Sequence, residues 1–281
     1  VKNNPDVDFL YLRGNHDNLE SYSEDLDTLK TFTGEWSGYS YGNVEFYGLE
    51  TAAENYSSMY SSLKLDPDKI NIVILHGQKS DSVGKDKINI AKLKNKNIDY
   101  LALGHIHSVN FGRIDERGVY AYPGCLEGRG FDETGAKGFI LVDTEDGKIK
   151  AGFVENSVRK TDEFTVDISA ANDVYEAYRI VKSNINAQKS DLLRIVLKGE
   201  ISFDGEGLKG EIERLLSGEY YFVSVKDDTL RKFDAEKIAG DNSLKGEFIR
   251  LVLADETIDG EKKQKVISVG LKALSDRELD I

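Results

Sequence analysis

Cysteine is almost absent from this sequence: Cys125 stands alone among 281 residues. A disulfide needs two thiols and a cysteine-rich zinc site needs more, so both are excluded within the chain, and a reducing, cytoplasmic setting is the expectation. Long apolar runs are missing too. Nothing approaches the roughly 20 residues that a membrane-spanning helix requires, and no basic amphipathic stretch suggests a surface anchor, so a soluble protein without a membrane partner is expected. Basic residues are outnumbered throughout. Lys and Arg total 37 against 50 Asp and Glu, a net charge of −13. The basic face that marks most nucleic-acid binders is therefore lacking, and an anionic ligand must be drawn in locally, by a metal or a small basic patch. Histidine occurs only four times.

What is present can build a core. Hydrophobic residues make up 40% of the chain, and the length suits two domains better than one. The runs 7–13, 70–76 and 98–104 are short, apolar and rich in β-branched or aromatic residues, as strands buried on both faces should be. Helix-like stretches lie between them at about 18–32, 53–63 and 86–96. This alternation predicts an α/β layered domain. Two hairpins follow, turning at 116–118 and at Asp146 and Gly147, and they predict a second, largely antiparallel sheet. The polar stretch 157–163 is the expected boundary, giving domains 1–158 and 159–281. The second domain reads as strand 164–168, helix 170–187, strand 192–201, helix 206–217 and strand 220–227. Helix-like stretches at 243–254 and 258–275 close it. No repeat of 20 to 50 residues and no low-complexity tract is visible. The opening residues read as the end of one element running directly into a buried strand, so the chain is expected to enter in mid-domain.

Every histidine falls at the C-terminal end of an apolar strand-like run, beside glycine: His16 in RGNHD, His76 in ILHG, His105 and His107 in LGHIHS. In open α/β sheets that end of the strands is where sites are built. Imidazole suits zinc, manganese and iron, and a spacing of one residue between His105 and His107 turns both rings to one side of an extended segment. Taken singly each motif has an ordinary reading. GNHD can be a helix N-terminal turn capped by Asn15 or Asp17, and His76 can be a satisfied core histidine. The conjunction of all four points to a metal centre.

GNHD, HG and GHIH resemble the last three of the five signature motifs of the calcineurin-like metallophosphoesterases. The continuation YPGCLEGRGFDETGAKGFILVD is similar to the stretch that follows those motifs in SbcD-type DNA-repair exonucleases, and the second unit resembles the capping domain of that subgroup. The resemblance implies a metallophosphoesterase-type layered sheet sandwich, incomplete at its N-terminus, followed by a smaller α+β capping domain. It implies two divalent metal ions, with manganese expected and iron or zinc compatible. Asn15, His76 and His105 would bind one metal and His107 the other. His16 would serve the leaving oxygen, with Asp17 orienting its ring. Two cations about 3.5–4 Å apart polarise the phosphoryl group and activate water, so in-line displacement needs no nucleophilic side chain. The first two family motifs, Asp-x-His and Gly-Asp-x-x-Asp, do not occur in these 281 residues. The chain alone is therefore expected to be weak or inactive, the intact parent being the enzyme.

Other features are assigned modest roles. Arg129, in the glycine-rich loop 124–135, is a substrate-phosphate contact in one reading and part of a surface loop in the other. Cys125 reads as a bystander rather than a nucleophile. Tyr220 and Tyr221 read as core or sheet surface, not a base-stacking platform. Val266, Ile267, Val269, Leu271 and Leu274 form a helical stripe expected to pack on its own domain. Three functions remain open at this stage: a metal-dependent DNA phosphodiesterase partnered by an SbcC-type ABC ATPase and acting as a homodimer, a phosphoesterase for a small nucleotide or similar ester, and a non-catalytic scaffold.

Overall fold

Ile, Val and Leu dominate the segment 70–76, and so apolar a run of seven residues has no polar stripe to offer water. It becomes a central strand. The computed structural model describes residues 1–17, 27–203, 205, 207–231 and 242–274. Two compact units are distinguished, Val1–Lys160 and Thr161–Ile281.

In the first unit the elements are β1 (Phe9–Tyr11), β2 (Leu29–Thr31), β3 (Ser37–Tyr41), β4 (Val44–Gly48), α1 (Met59–Ser62), β5 (Ile70–His76), β6 (Gln78–Lys79), β7 (Lys87–Ile88), β8 (Tyr100–Gly104), β9 (Asn110–Arg113), β10 (Val119–Tyr122), β11 (Gly138–Asp143) and β12 (Lys150–Glu155). Six strands form one sheet in the order β3-β4-β5-β8-β10-β9. Its four inner strands are parallel and its edges, β3 and β9, are antiparallel. Alternation along each strand sends side chains to opposite faces. Val73, Leu75, Leu101, Leu103 and Tyr120 pack on one face with Met59, Leu63, Ile88, Leu93 and Ile98. Ile72, Tyr100 and Ala121 occupy the other face, against Ile140 and Val142 of β11 and Ile149 and Ala151 beside and within β12. On this second face a cavity of about 890 Å³ remains, lined by Leu10, Tyr41, Val44, Phe46, Ile74 and Phe139 among others.

Several expectations are corrected here. Residues 29–31 are β2, paired in parallel with β1, where helix was expected; residues 18–26 of that stretch lie outside the described residues. The stretch 53–63 holds only the single turn α1, because Asn55 spends its side chain on the backbone of Gly34, Glu50 and Ala52. Such local bonds compete with helix. In 86–96, a two-residue strand is followed by a 3₁₀ turn, Ile90–Leu93, whose Lys92 amide is capped by Asn89. The hairpin turning at 116–118 does not start a second sheet: β9 and β10 extend the main one. Of the two expected hairpins, that of β11 and β12 forms a separate antiparallel pair, joined through a 3₁₀ turn over 145–147 rather than a two-residue loop. The segment 105–108, expected to be extended, is bent, with His105 at φ +96°.

The second unit contains β13 (Thr161–Asp167), α2 (Val174–Asn184), β14 (Leu192–Lys198), β15 (Glu200–Ile201), α3 (Leu208–Leu216), β16 (Phe222–Asp227), β17 (Leu230–Arg231), α4 (Leu244–Ala254) and α5 (Gly260–Ala273). β13, β14 and β16 pair in parallel with β14 central. A βαβαβ order with a parallel sheet is α/β rather than the expected α+β, since parallel neighbours require a crossover and α2 and α3 supply it. Leu193, Ile195 and Leu197 line one face of β14 and bury with Ala177, Val181, Ile212 and Leu216 of the helices. Asp173 caps α2 through the amide of Glu176, and Glu176 bonds back to the amide of Asn172. Tyr220 joins this core while Tyr221 is exposed. α4 and α5 pack through Ile249, Val252 and Ile267, with Val266 and Val269 left at the surface. Among the described residues, no helix is long and apolar enough to cross a membrane.

Candidate metal centre

β5 and β8 are neighbours in register, His76 opposite Gly104. Their C-terminal ends therefore deliver His76 and His105 to one place. The loop after β1 brings Asn15 there. Asn15 Oδ1 lies 3.1 Å from His76 Nε2, and His105 Nδ1 lies 3.3 Å from the same nitrogen. The two rings meet edge to face, 5.2 Å between centroids.

Two glycines make room for this. A Cβ on Gly14 would lie 2.7 Å from His76 Cε1, and one on Gly104 would lie 2.8 Å from His76 Nδ1. Glycine in GNHD and in LGH thus leaves room for one ring. His105 carries the backbone cost of the bend, since its φ lies in the left-handed region that side chains other than glycine rarely adopt. Strain of this kind gathers at functional sites.

The donor chemistry fits a cation. Burial, reinforced by the nearby His105, pushes the His76 imidazolium down from its ordinary value. The ring is therefore neutral near pH 7. As placed, a single N–H at His76 Nε2 would have to serve both Asn15 Oδ1 and His105 Nδ1. If the proton sits on His105 Nδ1 instead, Asn15 Oδ1 faces a lone pair. A cation attracts all three lone pairs at once, and two imidazoles with an amide oxygen suit zinc, manganese or iron. Among the described residues, no three His, Cys, Asp or Glu side chains gather closely enough to hold a metal by themselves.

The other expected residues lie as follows. His16 is exposed in the turn 14–17. Asp17 Oδ2 accepts the Gly14 amide at 2.8 Å, and the Asp17 amide returns to the Gly14 carbonyl, so this carboxylate closes the turn that carries Asn15 and His16. His107 does not share the three-donor contact; its Nδ1 lies 2.5 Å from Glu133 Oε1. Arg129 is exposed, and its amide, rather than its guanidinium, is engaged, donating to Glu133 Oε2 at 2.9 Å. Cys125 lies near both His107 and Glu133, and burial pushes its thiol up, away from nucleophilic character.

Residues that sequence reasoning missed complete the surroundings. A cavity of about 420 Å³ opens beside two of the donors, Asn15 and His76, and is lined also by Arg13, Asp17, Glu50, Lys85 and Asp86. Arg13 forks onto Glu50, its Nε donating at 2.7 Å and an Nη meeting the second oxygen. That bond holds the guanidinium above its ordinary pKa. Arg13 directly precedes GNHD, and this adjacency was the available signal. Glu50 had none, being brought in from outside the motifs, and Glu133 had only its place in the glycine-rich loop 124–135.

Comparison with known proteins gives the family. The profile of the calcineurin-like phosphoesterase superfamily domain matches residues 2–147, just over half of the chain. An uncharacterized metallophosphoesterase of Bacillus subtilis (strain 168), YhaO, is 28% identical over 160 residues, a stretch covering 54% of this chain and 38% of the relative. The chain spans well under half the length of that relative.

Proposed function

The chain belongs to the calcineurin-like phosphoesterase superfamily, and from that premise we propose that it carries a divalent-metal site for phosphodiester hydrolysis with DNA as substrate. The observation that supports the reading most is the meeting of Asn15 Oδ1, His76 Nε2 and His105 Nδ1 within 3.3 Å contacts. These three would hold one cation, and His107 would be a ligand of a second. Manganese is the metal proposed, with iron and zinc compatible with the same donors. When bound, a divalent cation polarises a phosphoryl oxygen and acidifies the attacking water. The chain's own part is positional. Gly14 and Gly104 fix where the His76 ring stands, and the turn closed by Asp17 presents His16, to which we assign the proton for the leaving oxygen. The resemblance of residues 122–143 to SbcD-type exonucleases supports DNA as substrate. In the same reading an SbcC-type ATPase and a second copy are its partners, the second unit corresponds to the capping domain of that subgroup, and the setting is the cytoplasm.

A second reading is favoured by two observations. The cavity beside the donors is about 420 Å³ with mixed-charge walls, and the chain is strongly acidic. Both suit a small nucleotide or similar phosphoester. Fluorescence anisotropy with a phosphorothioate duplex, competed by AMP or a cyclic nucleotide, separates the two. The first reading predicts manganese-dependent duplex binding that weakens in His16→Ala and resists AMP. Binding of the mononucleotide alone would establish the second, and a lack of manganese-dependent binding of either ligand would contradict both.

A further inference from the structure

His107 is held at both ends by one returning loop. Its ring nitrogen Nδ1 lies 2.5 Å from Glu133 Oε1, and its carbonyl oxygen accepts from Lys137 Nζ at 2.9 Å. Neither partner is a casual surface group. The Glu133 side chain is 10% exposed and Lys137 is 3% exposed, whereas the His107 side chain is half exposed. Glu133 is itself fixed, because its other oxygen accepts the Arg129 amide at 2.9 Å and faces the Cys125 thiol at 3.6 Å. The loop also presses on the histidine's backbone: Gly124 has φ +79°, and a Cβ there would stand 3.1 Å from the His107 carbonyl oxygen. A buried cation on the carbonyl and a largely covered carboxylate on the ring leave this histidine little rotational freedom.

We infer that Glu133 is a positioning residue that fixes the tautomer of His107, holding the proton on Nδ1 so that Nε2 presents its lone pair to a ligand. An ionised carboxylate can only accept, so the nitrogen facing it must carry the hydrogen. In a neutral imidazole the lone pair then resides on Nε2. Carboxylates that grip the far nitrogen of a ligating histidine orient the ring and raise its basicity, and their loss costs 10- to 100-fold in metal affinity. That last consequence rests on the assignment of His107 to a metal made above. The tautomer itself does not.

The test uses the metal-free full chain with 15N-labelled histidine, read by long-range 1H–15N correlation at a pH where the rings are neutral. The expected result is an Nδ1–H tautomer at His107 in the native protein, a switch to Nε2–H in Glu133→Ala, and retention of Nδ1–H in Glu133→Gln, whose amide oxygen can still accept. Manganese titration of the same three proteins should show a loss of 10- to 100-fold in Glu133→Ala at the site that His107→Ala removes, with recovery in Glu133→Gln. A His107 ring in the Nε2–H form in the native protein, or one unchanged by Glu133→Ala, overturns the inference. If the tautomers behave as stated but no manganese affinity depends on His107, the positioning role stands and the metal assignment of His107 fails.

Discussion

Gly104 stands against His76 so closely that a methyl group cannot be added: a Cβ there would lie 2.8 Å from the ring's Nδ1. Gly104→Ala must push the imidazole aside, and with it the Nε2 that meets Asn15 and His105. Overpacking of this kind costs about 1–3 kcal/mol, and displacement of a donor by a fraction of an ångström should lower metal affinity at least tenfold. Calorimetric manganese titration and thermal unfolding check both figures. Affinity equal to that of the native protein would contradict the placement of the ring.

His105 should show the opposite balance between stability and function. Its φ of +96° is unfavourable for any residue with a Cβ. His105→Gly relieves that strain and His105→Ala keeps it, so the glycine variant should be the more stable of the two by about 1 kcal/mol. Both should lose metal binding. Urea denaturation gives the difference, and equal midpoints would show that the bend stores no strain.

Asp115 supplies a pH dependence remote from the site. Burial raises its pKa, but the amides of Asn95, Gly118 and Arg117, at 2.7, 2.8 and 2.9 Å, outweigh this and hold the carboxyl below its ordinary value. A depressed folded-state pKa means that the stabilisation is complete above the unfolded value, near pH 4, and is lost as pH falls through the folded value. Asp115→Asn should cost about 1–3 kcal/mol at pH 7, because its oxygen can still accept from Arg117 and Gly118 while its NH2 group meets the Asn95 amide donor to donor. Urea midpoints measured from pH 7 to pH 2.5 should fall less steeply below pH 4 in the variant than in the native protein.

The site was legible where chemistry sits in short motifs at strand ends. Ile70–His76 forms the strand its apolar run predicts, and β8 ends at Gly104 as LALGH suggests. His76 and His105 meet because the neighbouring parallel strands β5 and β8 finish level, and the loop after β1, a strand of a separate pair, adds Asn15. What the motifs did not reveal depends on distant loops. Glu133 reaches His107 across 26 residues, and Arg13 meets Glu50 across 37. No local pattern encodes such pairs. The hairpin of β3 and β4 was missed as well, although Tyr41 to Val44 turns through Gly42 at φ +63°. Helix-like composition in 53–63 and 86–96 was misleading because polar side chains there bond the backbone locally, and the apolar residues are spent covering a sheet face.

The central claim is that Asn15, His76 and His105 hold one divalent cation, and manganese titration of the chelator-treated chain by calorimetry tests it most directly. The account predicts a site, distinct from any that His107→Ala removes, that is lost in His76→Ala and in His105→Ala and is weakened in Asn15→Ala. No binding by the native chain, or binding that survives His76→Ala unchanged, would contradict it.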